Sequence, residues 1–184
     1  AVFFYERTDQ WARAQTVELP NPGGDHFGYS VAVSGDLALA GAPSRGQVWV
    51  IRRINGNWTL SESIRPMMPS ERRGSRVSIL GSRAVVSNQD GWLAIWRYDE
   101  STNEWSIETV LPPTESDSLI NALEQGERHV LARHQSGILR LFVRSDDQWQ
   151  TVGSEALSAL QDLSTDPFGG VALGGGRIVF GAPS

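Results

Sequence analysis

Four tryptophans, Trp11, Trp58, Trp105 and Trp149, recur along the chain at intervals of 47, 47 and 44 residues, each a few residues after an alternating apolar run. Those runs are Val2-Phe3-Phe4-Tyr5, Val48-Trp49-Val50-Ile51, Leu93-Ala94-Ile95-Trp96 and Ile138-Leu139-Arg140-Leu141-Phe142. A period of this size constrains the fold more than any local pattern. A unit of roughly 20 to 50 residues cannot bury its apolar face alone and must stack on copies of itself. A second register agrees: the glycines of Ser34-Gly35-Asp36, Leu80-Gly81-Ser82, Gln125-Gly126-Glu127 and Gly174-Gly175-Gly176 are spaced by 46, 45 and 49 residues.

The segments before these glycines (Tyr29 to Val33, Arg76 to Ile79, Ile120 to Leu123, Gly170 to Leu173) and after them (Leu37 to Ala40, Ala84 to Val86, His129 to Ala132, Arg177 to Phe180) read as strands of a hairpin. Each unit then carries four short strands: A and B around the glycine, C the apolar run, and D beginning at the repeated Trp. That is one blade of an all-β propeller. Helical periodicity is weak throughout, and Ser154 to Leu163 is granted one short helical turn. The expectation is a single domain over residues 1–184, in units of about 1–46, 47–91, 92–137 and 138–184. The chain starts in strand C and ends after strand B. Pairing Val2 to Tyr5 with Ile178 to Phe180 would therefore complete a fourth four-stranded blade and close the ring. The alternatives to a ring closed within one chain are a fragment cut from a longer propeller and half of a ring completed by a second chain, a homo-oligomer.

The residues also carry a family resemblance. Phe27-Gly28 followed by Gly41-Ala42-Pro43, and Phe168-Gly169 followed by Gly181-Ala182-Pro183, resemble FG-GAP repeats of the integrin α-subunit propeller type. In the middle units Arg73-Gly74 and Ser118-Leu119 stand where Phe-Gly would, and Ser87-Asn88-Gln89 and Arg133-His134-Gln135 where Gly-Ala-Pro would. The resemblance implies a non-enzymatic protein-interaction or adhesion module, placed extracellularly, on a cell surface or in a periplasm. The alternatives are a carbohydrate-binding, lectin-like propeller and a non-catalytic piece of a larger secreted protein. A start at Ala1 rather than Met is what a processed or excised chain would show.

Composition narrows the partners. A net charge of -5 disfavours nucleic acid and anionic lipid, and the one basic cluster, Arg72, Arg73 and Arg76, reads as a solvated turn or strand edge. No apolar run approaches a membrane span, and the absence of cysteine removes disulfides, thiolate nucleophiles and thiolate metal sites. A protein partner, or a carbohydrate, fits this balance best.

No catalytic residue, cofactor site or metal site emerges. Integrin-type calcium loops place alternating carboxylates between strands A and B, and these turns are too short and too poor in carboxylate to do so. Asn88-Gln89-Asp90-Gly91 offers two ligands in a B–C turn and reads as a turn. His26, His129 and His134 lack a spaced third ligand, and Asp99-Glu100 and Asp146-Asp147 read as solvated C–D turns. No Gly-x-Ser-x-Gly elbow or phosphate-binding loop is present. Of seven tryptophans, four are the structural repeat positions, expected at equivalent places at the start of strand D, packed and mostly buried, with Phe27, Gly28, Phe168 and Gly169 as the other motif positions. The extra three, Trp49, Trp92 and Trp96, are candidate partner-binding residues set against a core-packing alternative.

Overall fold

The computed structural model describes residues 1–7, 9–20, 23–65, 73–114, 119–135, 138–152, 171–174 and 177–180. Arg72, Ser118, Ser154 to Leu163, Phe168, Gly169, Gly170, Gly175-Gly176 and Gly181-Ala182-Pro183, for which the sequence sets expectations, lie outside them. Among the described residues every long element is a strand, as the alternating apolar runs and glycine turns predict. The first blade is β3 (Val31–Ser34), β4 (Leu37–Ala42), β5 (Gln47–Ile54) and β6 (Asn57–Ile64), antiparallel in that order, with a 3-10 turn at Pro43–Arg45. The second is β7 (Arg73–Leu80), β8 (Arg83–Asn88), β9 (Leu93–Asp99) and β10 (Glu104–Leu111). The third is β11 (Ile120–Gln125), β12 (His129–His134), β13 (Leu139–Ser145) and β14 (Gln148–Thr151).

Two hairpins flank these blades. β1 (Val2–Arg7) pairs with β2 (Trp11–Val17), and β15 (Val171–Gly174) pairs with β16 (Arg177–Phe180). Each forms its own two-stranded sheet, so the pairing of Val2 to Tyr5 with Ile178 to Phe180 is not present in this structure.

Register explains the repeat. The C–D hairpins skip one residue three positions after the repeated Trp: Ala14 in β2, Ser61 in β6 and Glu108 in β10. A bulge at the same place in these three hairpins adds the same local twist to their outer strands. In the third unit the hairpin turns one residue later than expected. Gly126 N–H donates to the His129 carbonyl at 2.9 Å, and Glu127 and Arg128 make the turn.

The core lies in the seams between sheets. Leu39, Val48 and Val50 of the first blade meet Val77, Ile79, Ala84, Val86 and Trp96 of the second. Val85, Leu93 and Ile95 of the second meet Ile120, Leu123, Val130 and Phe142 of the third. The opposite face of the first blade, with Ala38, Ala40, Ile51 and Trp58, covers Val2 and Val17 of the β1–β2 hairpin. At about 1.5–3 kcal/mol per fully buried large aliphatic side chain, each seam is a substantial source of stability.

The repeated tryptophans occupy equivalent places at the start of strand D, but their burial differs. Trp58 is buried and stacks on Phe4, with ring centroids 4.3 Å apart and planes 13° from parallel. Trp105 is half-buried against the first seam and tilts onto Tyr98, and half-buried Trp149 packs on the second. Trp11 is exposed, against the expectation that all four are packed. Each packed Trp leans on the sheet before it in chain order, and no described sheet precedes β1–β2.

Candidate functional site

The Phe-Gly and Gly-Ala-Pro residues of the first unit come together at one end of the blade. Gly28 N–H donates to the Gly41 carbonyl at 3.0 Å, and Gly41 N–H donates to the Ser30 carbonyl at 2.8 Å. The Ser30 hydroxyl donates to the Gly74 carbonyl of the next blade at 3.0 Å. A Cβ added at Gly41 would sit 2.1 Å from that same carbonyl oxygen, so this crossing of two backbones admits no side chain. Phe27 packs, half-buried, against the seam with β1–β2.

This backbone clamp fixes a small polar and aromatic surface. His26, with φ of 53°, turns the chain so that its Nδ1 lies 2.5 Å from Ser44 Oγ. Asp25, itself buried, pairs with Arg45. Tyr29 is half exposed, with His26 edge-on at 6.5 Å and the Arg76 guanidinium 5.7 Å from its ring centre. Arg76 is held in turn by donating to the carbonyls of Asn121 in the third blade and Ser75 in the second, both at 2.9 Å. His26, Tyr29, Pro43, Ser44 and Gln89 line a shallow cleft of about 200 Å³. The surface is thus built from three units, which is why spacing within one unit did not single it out. In sequence Arg76 belongs to a basic cluster that reads as solvated, and nothing in the chain signals its contact with Tyr29.

The other candidates resolve into structure. Trp96 is buried in the first seam, Trp92 packs half-buried against it, and Trp49 packs half-buried against the β1–β2 seam, so the three do not share a surface. Asn88 Oδ1 accepts from the backbone N–H groups of Asp90 at 3.0 Å and Trp92 at 2.9 Å, which makes Asn88-Gln89-Asp90-Gly91 an Asx turn. Asp99 accepts from Ser101 through both hydroxyl and backbone N–H, and these bonds hold its carboxyl below the usual range. Asp146 and Asp147, both with positive φ, form the C–D turn of the third blade. His134 is buried at the end of β12 and His129 is exposed at its start. Among the described residues, no three His, Asp or Glu side chains converge on a common point.

A polar network sits in the second seam. Glu108 accepts from Arg83 Nε at 3.0 Å and from the Trp149 indole N–H at 3.1 Å, and Arg144 Nε lies 2.8 Å away as an ion pair. Burial pushes the Glu108 carboxyl up, but the bonds from Arg83 and Trp149 and the charges of Arg83 and Arg144 outweigh it and hold the group below its ordinary value. Glu124 on β11 has burial without such partners, and its carboxyl is pushed up.

Repeated four-stranded antiparallel sheets, stacked face to face through apolar seams, define a propeller-like repeat domain. Within it, residues 22–50 match the FG-GAP repeat family, and the chain carries an FG-GAP repeat there. No curated protein matches the sequence. Among solved structures, the computationally designed Ika4 protein aligns at a TM-score of 0.63 and 16% identity, over 90% of this chain and 89% of that one. A putative 6-phosphogluconolactonase from Bacteroides uniformis aligns at 0.67 and 12%, over 97% of this chain and 50% of that one. The periplasmic gluconolactonase of Pseudomonas aeruginosa aligns at 0.58 and 18%, over 89% and 45%. The chain spans about half the length of these two lactonase chains, and likeness at such identities speaks to fold alone.

Proposed function

We propose that this chain is a non-enzymatic binding module of the FG-GAP type that engages a protein partner through the end face bearing His26, Tyr29, Ser44 and Arg76. The observation that carries the reading is the Tyr29–Arg76 pair, a half-exposed ring beside a partly buried guanidinium, set on a clamp of two crossing backbones. Tyrosine and arginine held in place by their own scaffold are the residue types that anchor interfaces at low entropic cost. Adhesion outside the cell or in a periplasm is the setting this reading favours. The scaffold is a propeller of four-stranded blades in which β1–β2 is the C–D half of a blade and β15–β16 is an A–B half.

With no native cysteine, Asp90→Cys, exposed next to the cleft-lining Gln89, accepts a single photo-crosslinker outside the proposed contact residues. In the native extracellular or periplasmic protein mixture, the labelled chain should give discrete protein adducts that disappear with Tyr29→Ala at unchanged melting temperature. Adducts insensitive to Tyr29→Ala would refute the site. Hydrolysis of glucono-δ-lactone by the chain above the uncatalysed rate would refute the non-enzymatic reading.

A further inference from the structure

Ser30 and Arg76 stand at the same register position, two residues after Gly28 and Gly74, and each joins its blade to the next. The Ser30 hydroxyl donates to the Gly74 carbonyl at 3.0 Å, and Arg76 Nε donates to the Asn121 carbonyl at 2.9 Å. A single donor is enough for such a joint, since a hydroxyl serves in the first seam. Arg76 brings a full charge and five N–H groups to the same task. Two of these go to the carbonyls of Asn121 and Ser75, and neither acceptor is charged.

Other guanidinium groups of the chain are neutralised where they sit. Arg45 faces Asp25, Arg52 faces Glu62, and Arg83 and Arg144 share Glu108. Arg76 is partly buried, and no carboxylate lies within ion-pair reach of it among the described residues. Its remaining contact is the Tyr29 ring, 5.7 Å away.

The cleft beside this pair matches the uncompensated charge. No acidic side chain lines it, although the chain carries 21 acidic against 16 basic residues. Asp25 is buried and engaged with Arg45, and exposed Asp90 lies outside the lining. The imidazole of His26, the phenol of Tyr29, the hydroxyl of Ser44 and the amide of Gln89 can all donate hydrogen bonds into it. At about 200 Å³ the cleft is smaller than the roughly 300–1,000 Å³ of small-molecule sites, and suits one side chain reaching in from outside. A partly desolvated guanidinium with N–H groups to spare binds carboxylate through short charge-assisted bonds, and its planar fork can take both oxygens.

We propose that the cleft receives the carboxylate of an aspartate or glutamate side chain on the protein partner, with Arg76 as its counter-ion and Tyr29 against its stem. The proposal rests on the reading of this face as the binding surface, and adds the chemistry that the surface selects.

The direct probe is N-acetylglutamic acid α-amide, whose side chain carries its only charge, titrated into the isotope-labelled chain at constant ionic strength. N-acetylglutamine amide is its uncharged match. The acid should move the backbone amide resonances of His26, Tyr29 and Ser44 in a saturable way, and the glutamine amide should not. Arg76→Gln should weaken the acid's binding at least about tenfold, as loss of a charge-assisted hydrogen bond predicts. Arg76 also joins two blades, so Gln89→Glu is the second variant: it keeps the side chain's shape, leaves Arg76 in place and sets a like charge in the cleft. It should weaken binding by a similar factor. Equal shifts with both probes, or binding unchanged in either variant at the wild-type melting temperature, would overturn the proposal. Crosslinked adducts separate it from the reading beneath it. Adducts lost with Tyr29→Ala and also with Gln89→Glu support both, whereas adducts lost with Tyr29→Ala but retained in Gln89→Glu would keep the face and overturn the acid site.

Discussion

Replacing Glu108 by Gln removes one charge from the seam between the second and third blades while keeping the shape of the side chain. Glu108 faces two guanidinium groups, Arg83 at 3.0 Å and Arg144 at 2.8 Å, and receives the Trp149 indole N–H at 3.1 Å. Breaking a buried ion pair from one side costs about 3–5 kcal/mol, because the remaining charge stays desolvated. Here the side chains keep 12% to 20% of their exposure, and the amide oxygen can still accept a bond. The cost should therefore fall to about 2 kcal/mol, or about 4–8 °C in melting temperature for a chain of this length. Calorimetry at fixed protein concentration across pH 3 to 7 tests both size and sign. The carboxyl is held below its ordinary value, so its contribution is full above about 4.5 and is lost as pH falls through the lower folded-state value. The gap between wild type and Glu108→Gln should be widest near neutrality and close in acid. Melting temperatures equal within about 1 °C at pH 7, or a gap that widens as pH falls, would show that the network does not hold this seam.

Gly41→Ala should destabilise by about 1–3 kcal/mol or abolish folding, since its Cβ would press on the Gly74 backbone rather than on a yielding side chain; urea melts would measure this. Trp58→Ala, which removes a buried ring stacked on Phe4, should cost about 3–5 kcal/mol by the same method, and a loss below about 1 kcal/mol would discount the seam with β1–β2. Glu124→Gln should raise the melting temperature modestly at pH 7, because a raised folded pKa is a penalty present above that pKa; the gain should vanish near pH 4. Millimolar calcium against chelator should leave the melting temperature unchanged, and a rise of several degrees would reveal a site that these turns do not suggest.

The strands and their grouping were legible because apolar alternation and glycine turns act locally, and two registers agreed on the period. Gly74 was correctly matched to Gly28: both have strongly positive φ, and both crowd a carbonyl oxygen of the preceding sheet. What stayed hidden depends on contacts across seams. Trp11 and Trp58 look alike in sequence, but one is stacked on Phe4 and the other has no described sheet behind it. The hairpin of the third unit turned later because Gly126 marks a turn in sequence, yet Glu127 and Arg128 tolerate one equally well in space. Tyr29 and Arg76 belong to different repeats, and no pattern within one period could bring them together.

The Gly41–Gly74 crossing changes what the heritable unit of such a domain is. A glycine leaving one blade is needed only if the next blade brings its own backbone to the same point, so what one position tolerates depends on the other. The second unit carries Ser87 in place of the first glycine and the third carries Leu119 in place of the second, whereas the third carries Arg133 in place of the first and the fourth keeps Gly169. The motif is thus written across each joint rather than within each repeat. A duplication that inserts or removes one unit must therefore rejoin two half-motifs, and blades can be traded only where the residue on each side fits its counterpart.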